Sequence, residues 1–188
     1  MKSRSGMALL GTALILGCGG GAGGGGTVPR HFDVSPDASN PIVIPYSGVS
    51  AAEMTNIVAQ MASEVPINVA QVVPKNGFVE TAWSDIRNFN LGNEANSLPL
   101  PERQVVYVFQ AQDREKVGIL QIGGWYQPTR PPGTPAARSQ RYDRFIPTSH
   151  PGYQLMLNFE YRLKNQLFPQ HGVTVVDPAE QPEQQQNQ

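Results

Sequence analysis

A run of eight small residues near the start of the chain limits how the rest can fold. Residues 19–26 read Gly-Gly-Gly-Ala-Gly-Gly-Gly-Gly, and a run of this kind behaves as flexible coil. Irregular, proline-containing sequence continues to about Pro41, so we expect residues 18–40 to form a flexible tether. Residues 177–188 are rich in Gln, Glu and Pro, which predicts a disordered tail. The folded part is therefore expected at residues 41–176, which is enough chain for one domain.

The residues before the glycine run have the layout of an export signal. Lys2 and Arg4 give a positive start, and an apolar stretch follows from Met7 to Leu16. That stretch is far shorter than the roughly 20 apolar residues of a membrane-spanning helix. It ends in Ile15-Leu16-Gly17-Cys18, and Cys18 is the single cysteine of the chain. A lone cysteine has no disulfide partner in an oxidising compartment, so this thiol needs another explanation.

The sequence Ile15-Leu16-Gly17-Cys18 resembles the lipobox of bacterial lipoproteins. The resemblance implies a signal peptide over residues 1–17, a lipid on the Cys18 thiol and acylation of the new N-terminus. The expected partner of Cys18 is thus a membrane. Gly19, where Asp would be a retention signal, resembles the pattern of lipoproteins sent to the outer membrane, which predicts a lipid-anchored protein facing the periplasm. The alternatives are an ordinary secretory leader with an incidental cysteine, or a buried N-terminal helix.

A helix and a hairpin open the folded part. Ser50 and Glu53 have the spacing of a capping box, and the apolar residues after them recur at helical spacing: Met54, Ile57, Val58 and Met61. Ile67–Val73 and Phe78–Trp83 are rich in branched and aromatic residues and flank a Pro-Lys-Asn-Gly turn, which predicts a hairpin. In its second arm, Val79 and Trp83 best suit the core face, and Glu80 is expected on the solvent face.

Two longer strands and a second helix follow. Arg103–Gln112 and Lys116–Tyr126 are predicted to be antiparallel strands, the second bulged or ended by Gly123-Gly124. A helix is expected after Pro151 and is expected to stop at Pro169. Short strands are predicted at Pro41–Pro45 and Gly172–Val176. We therefore expect an α+β fold, with a single antiparallel sheet of about four to five strands and two helices packed on one face.

The segment Gly77-Phe78-Val79-Glu80-Thr81-Ala82-Trp83, placed after a helix and a strand, resembles part of a known domain type. It is similar to the helix-grip domains of the small lipoprotein of the machinery that assembles outer-membrane β-barrels. That family has two such domains and a long ordered N-terminal segment, whereas this chain has room for one domain and has glycines instead. Only the helix-grip fold is therefore carried over as an expectation, and not the family's partner.

The sequence predicts no catalytic residues, no metal ligands and no cofactor. The histidines are His31, His150 and His171, and they form neither a His-x-x-x-His pair nor a Cys/His cluster. Asp113 and Glu115 lie in a tight turn, where solvated charge is the ordinary explanation. Without residues 1–17 the chain has 12 basic and 15 acidic residues, a net charge of −3. Nucleic-acid binding needs a basic surface, so no nucleic-acid partner is expected.

One loop has the composition of a binding surface. Residues 127–148 and the end of the preceding strand combine arginines with aromatic side chains: Arg130, Arg138, Arg141, Arg144, Trp125, Tyr126, Tyr142 and Phe145. Arginine and aromatic residues are enriched at binding hot spots. This loop is a candidate for gripping a protein partner, an anionic glycan or lipid headgroups. The alternative is a solvated loop whose aromatic residues cover the sheet edge.

These observations favour a non-enzymatic, lipid-anchored module that binds or scaffolds an envelope protein partner in a cell-envelope assembly. A stand-alone lipoprotein that binds a glycan or another small ligand is the second hypothesis, and an enzyme is the third. The first predicts a stable protein partner, and the second predicts that the isolated domain binds its ligand alone.

Overall fold

The structure, a computed structural model, describes residues 32–127 and 144–177 and has an α+β fold. Its strands are β1 (Ile42–Ser47), β2 (Val69–Val73), β3 (Phe78–Thr81), β4 (Ser84–Asp85), β5 (Gln104–Gln112), β6 (Gly118–Tyr126), β7 (Arg144–Phe145) and β8 (Thr174–Val175). Its α-helices are α1 (Ala51–Glu64), α2 (Asn93–Ser97), α3 (Leu100–Arg103), α4 (Pro151–Arg162) and α5 (Phe168–Gln170). Short 3₁₀ turns occupy Pro74–Asn76 and Ile86–Phe89, and a π-helical turn, Leu163–Leu167, joins α4 to α5.

The strands form one sheet in the order β2-β3-β5-β6-β1-β8, with β4 beside β5 and β7 beside β6. All the pairings between described strands are antiparallel. The predicted fold class and antiparallel sheet are confirmed, but the predicted four to five strands is too few, since the described residues form eight. The predicted two helices is also too few, because short helices accompany α1 and α4. The strands without a counterpart in the prediction are β4 and β7, which have two residues each and are too short to show a repeating pattern. The two-residue β8 lies within the short strand predicted at Gly172–Val176.

One face of the sheet holds the core. A row of directly opposed residues crosses four strands on this face and is buried: Val79, Phe109, Ile122 and Ile42. The ring of Phe159 in α4 packs edge-on against Tyr107 and Phe109, at centroid distances of 5.0 and 5.5 Å. The predicted apolar residues of α1 join the same buried cluster. We call this side the helix face, and the side that carries Val106, Val108 and Trp125 the second face.

Two carboxylates cap the start of α1. The predicted capping box is confirmed: the Ser50 hydroxyl accepts from the Glu53 amide at 3.3 Å, and the Glu53 carboxylate accepts from the Ser50 amide at 2.9 Å. The Ser50 amide and the Ser50 hydroxyl both donate to the Glu53 carboxylate, and these two hydrogen bonds lower the pKa of Glu53. Asp113, in the turn between β5 and β6, accepts from the Ala51 amide at 2.7 Å. Solvated charge alone is therefore the wrong explanation for Asp113, because its side chain joins the hairpin turn to the helix.

Three further local expectations are wrong. Glu80 lies on the second face, as alternation with Val79 requires, but it is 2% exposed and not solvated. Gly123-Gly124 neither bulges nor ends β6, which continues in regular register to Tyr126. The helix that starts at Pro151 runs one residue past Pro169, through the π-helical turn to Gln170. Proline is tolerated there because it lies at the start of α5, where its missing amide proton is not needed.

The segment before β1, assigned to the tether by composition, contacts α4 and β6. The Gln154 side chain exchanges two hydrogen bonds with the main chain of Phe32, at 2.8 and 3.0 Å. The Tyr153 hydroxyl donates to the Ser39 carbonyl at 2.8 Å. The Asn40 side chain donates to the Gly124 carbonyl at 2.7 Å and accepts from the Gly124 main-chain amide at 3.1 Å. The peptide bond between Asn40 and Pro41 is cis. Within the described residues, the part of the predicted tether from Phe32 to Asn40 therefore makes specific contacts with the folded domain.

Candidate binding surface

The predicted binding residues fall partly within the described structure. Trp125 and Tyr126 end β6, and Arg144 begins β7. Cys18, His31 and four members of the Arg-rich loop lie outside the described residues: Arg130, Arg138, Arg141 and Tyr142. The described part of the candidate surface is therefore the pairing of β6 with β7 and its surroundings.

The pairing of β6 with β7 divides the predicted aromatic cluster between two faces. Trp125 lies opposite Phe145, and Tyr126 lies opposite Arg144. Because successive side chains of a strand point to opposite faces, Trp125 and Phe145 share the second face, whereas Tyr126 and Arg144 lie on the helix-face side. The sequence predicted one mixed surface, and the structure separates its described members into two pairs.

Trp125 and Phe145 form an aromatic pair on the second face. Their ring centroids are 5.2 Å apart with an interplanar angle of 34°. Trp125 is half-buried, and Phe145 is 55% exposed. The Trp125 ring lies across Gly123, since a Cβ atom added there would be 2.6 Å from Cη2 of the indole. An exposed ring supported by a half-buried tryptophan gives a rigid apolar contact area of the kind enriched at interfaces.

The rest of the second face mixes apolar and amide side chains. Val106 lies directly opposite Trp125, and Gln110 lies opposite Gln121. Val43, opposite Gln121 in β1, is 47% exposed. Val43 could not be recognised as an outward residue from the sequence, because Ile42, Val43 and Ile44 are all branched and apolar and no polar residue marks the outward side of this strand.

Tyr126 belongs to a buried polar arrangement around His150. The two rings lie 5.1 Å apart at an angle of 31°. Nδ1 of His150 accepts a hydrogen bond from the Gly152 amide at 3.0 Å and so caps α4. Nε2 is 3.0 Å from the Glu102 carbonyl oxygen, which can only accept, so the neutral ring carries its proton on Nε2. Burial lowers the pKa of His150, against the opposing effect of Glu102. Both ring nitrogens are therefore used in holding α4 to the segment before β5.

His171 lines a shallow surface depression beside α1. Its Nε2 is 3.2 Å from the Gln60 side-chain oxygen. The depression has a volume of about 260 Å³ and is lined by Val49, Glu53, Asn56, Ile57, Gln60 and His171. Its one carboxylate, Glu53, already bonds to Ser50. The depression thus combines an imidazole with amides and an engaged carboxylate, which is an arrangement suited to polar contact.

A cluster of charges joins β4 to the end of α3. Asp85 pairs with Arg87 at 2.8 Å and lies 3.5 Å from Nε of Arg103. Burial opposes ionisation of Asp85, but the hydrogen bonds from Arg87 and the charges of Arg87 and Arg103 outweigh it, so the pKa of this carboxyl is lowered. Asp85 also accepts from the Arg87 amide at 3.0 Å and starts the 3₁₀ turn. This cluster fixes the local backbone.

Within residues 32–127 and 144–177, no three His, Cys, Asp or Glu side chains are grouped so that they could hold a metal ion. In the same residues, none of the helices has the length and apolar character needed to cross a membrane.

No family model matches this chain, and no curated protein matches it either.

Proposed function

We propose that this chain is a lipid-anchored envelope lipoprotein that acts without catalysis, as a binding or scaffolding module for a protein partner in a cell-envelope assembly. The lipobox residues Ile15-Leu16-Gly17-Cys18 support the anchor. The order of helix, antiparallel strands and second helix supports a helix-grip-like domain. The observation that carries the binding role is the aromatic pair of Trp125 and exposed Phe145 at the end of the sheet.

The aromatic pair suits a protein partner for a physical reason. Phe145 offers more than half of its surface to solvent, while contact with Trp125 limits its freedom. A side chain that is already restrained loses little entropy on binding, so its burial contributes more of its hydrophobic free energy to affinity. Arg144 is exposed next to it in sequence, but its side chain lies on the helix-face side of the strand, so the contact on the second face is apolar.

The anchor is tested by replacing its one attachment residue. We expect Cys18→Ser to move the protein from the membrane fraction to the soluble periplasmic fraction, with the leader still recognised for export. The measurement is cell fractionation together with metabolic labelling by a fatty acid. A Cys18→Ser chain that stays in the membrane fraction as fully as the wild type would exclude the lipid as its anchor.

The binding role is tested by crosslinking the protein in cells, purifying it from membranes and identifying what accompanies it. A recurrent envelope protein at comparable abundance supports the assembly role. Phe145→Ser should then reduce capture of that protein at least about thirtyfold, because loss of a hot-spot side chain costs about 2 kcal/mol or more. Val175→Ser is the matched control, since Val175 is 40% exposed on β8. Equal capture by wild type and Phe145→Ser would exclude the aromatic pair.

The Arg-rich loop is tested separately by the triple change of Arg138, Arg141 and Arg144 to Ser. This variant should weaken partner capture and leave folding intact, as judged by circular dichroism. Unchanged capture would remove the loop from consideration.

The second candidate function is recognition of an envelope glycan by the domain alone. The observation that favours it is the same exposed Phe145 ring beside Trp125, since an aromatic face can pack against the ring of a sugar. Recovery of the crosslinked protein without any partner, followed by glycan binding to the purified soluble domain, would favour this function over the first.

A further inference from the structure

Strand β2 forms an exposed edge of the sheet. It stands at the end of the strand order, and among the described strands β3 alone pairs with it. Val69, Ala70, Gln71 and Val72 are all exposed, and Val73 is half-buried. The outer row of main-chain donors and acceptors on such a strand is a template for pairing with another extended strand.

The composition of this edge does not oppose pairing. Proteins commonly protect edge strands with charged side chains, prolines or bulges. No charged residue occurs between Glu64 and Lys75, so every side chain of β2 is neutral. Among the described residues, the protection within β2 itself is one irregularity, a shift of register between Val69 and Gln71, and Pro74 follows the strand directly.

That irregularity changes which side chains share a face. Val69 lies opposite Thr81, and Val72 lies opposite Val79. Thr81 and Val79 are two residues apart in β3, so both point to the helix face. Val69 and Val72 therefore also point to the helix face, although they are three residues apart. Both remain partly uncovered there, at 36% and 39% exposure, because α1 packs against this strand without enclosing its outer side chains.

We propose that β2 pairs with β2 of a second copy of this chain, antiparallel, with Val69 opposite Val72 of the second copy. In this register each copy presents the same two valines, so two identical Val69–Val72 contacts form, with Ala70 opposite Gln71 between them. Identical antiparallel strands are related by a two-fold axis, which gives a closed dimer. The two sheets become continuous, and both α1 helices lie on the same side, next to the four valines.

A second copy of this chain fits this edge because the same neutral residues of β2 meet on both sides of the two-fold axis. Neutral side chains avoid the like-charge repulsion that a two-fold axis would otherwise impose on any charge of β2. The edge is only five residues long, so the interface is smaller than that of a stable dimer, and association should be reversible and dependent on concentration. The dimer edge is separated from the Trp125–Phe145 pair by β3 and β5, so this proposal does not rest on the proposed function.

The register is tested with cysteine pairs in the full-length chain carrying Cys18→Ser, kept in mild detergent. Directly opposed residues of antiparallel strands have Cα atoms about 4.5–5.5 Å apart, within the range of a disulfide. A mixture of differently tagged Val69→Cys and Val72→Cys chains should give a disulfide-linked dimer containing both tags under mild oxidation, and each variant alone should give far less. Crosslinking of the mixture no greater than that of a Val43→Cys control would overturn the proposal.

Self-association itself is measured by sedimentation over a series of protein concentrations. The wild type should form dimers, and Val72→Lys should weaken dimerisation at least about tenfold, because each copy would bring a charge to the interface. Val43→Lys is the matched control on a somewhat more exposed valine of β1 and should dimerise as the wild type does. A wild-type chain that stays monomeric throughout, or equal loss of dimer in both variants, would refute pairing through β2.

Discussion

The imidazole of His150 should contribute measurably to stability through both of its nitrogens. Nδ1 accepts from the Gly152 amide and Nε2 donates to the Glu102 carbonyl, each at 3.0 Å, and the side chain is 8% exposed. His150→Ala removes a helix cap and a second hydrogen bond and leaves the Glu102 carbonyl without this donor. We expect the free energy of unfolding to fall by about 1 to 3.5 kcal/mol, the combined range for a lost cap and a lost buried hydrogen bond.

The same geometry predicts how stability changes with pH. A protonated ring could no longer accept from Gly152, and burial lowers the pKa of His150 in the folded protein. The unfolded chain binds a proton near the ordinary pKa of about 6.5, before the folded protein does. The stabilisation from neutral His150 is therefore fully present above about pH 6.5, and it is lost as pH falls from there through the lower pKa of the folded state.

The measurement is the free energy of unfolding in urea at about pH 7.5 and about pH 5.5, on either side of the ordinary histidine pKa. Comparing variants at both pH values separates the contribution of His150 from that of other titrating groups. His150→Asn is the informative variant because asparagine keeps a cap acceptor that does not titrate in this range. The wild type should lose more stability between the two pH values than His150→Asn does. His171→Asn, a change at an exposed histidine, should follow the wild type. If His150→Asn loses as much stability as the wild type, His150 is not the source of the pH dependence.

Two other substitutions test contacts found in the structure. Asp113→Ala should lower the free energy of unfolding by about 0.5–1 kcal/mol, because the side chain caps α1 through Ala51; urea unfolding measures it, and Glu115→Ala in the same turn should have no effect. Tyr46→Phe should leave the melting temperature unchanged or raise it, because the Tyr46 hydroxyl is buried with no hydrogen-bond partner among the described residues. A clear drop in melting temperature would contradict that assignment.

The parts of the fold that could be predicted are those with a repeating pattern. Met54, Ile57, Val58 and Met61 lie one turn apart and are all buried, and the capping box fixed the start of α1 within one residue. In β5, Val105, Tyr107 and Phe109 share one face by the two-residue period of a strand. Val106 and Val108 make the other face apolar too, which favours a central strand, and β5 does lie between β3 and β6, but the pattern does not show which face packs against the helices.

The parts that could not be predicted depend on contacts between distant residues. Alternation along β3 predicts the correct face for Glu80. How far its side chain is exposed depends on which residues cover that face, and the local sequence does not contain this information. Asp113 caps a helix that begins 62 residues earlier, so its role is invisible in the turn sequence. The two-residue β7 forms because Arg144 and Phe145 meet the end of β6, and a segment that short has no periodicity to detect.

The glycine pair in β6 connects the core to the candidate binding surface. Gly123 lies on the second face, where the absence of a side chain lets the Trp125 ring lie across the strand. Gly124 faces the helix face, where a Cβ atom would be 2.8 Å from both Cδ1 of Ile146 and Sδ of Met156. The same two residues thus let α4 approach the sheet on one side and let a tryptophan support Phe145 on the other. Glycine in a strand is destabilising by itself, so its use at two adjacent positions is explained by close packing on both faces and not by a break in the strand.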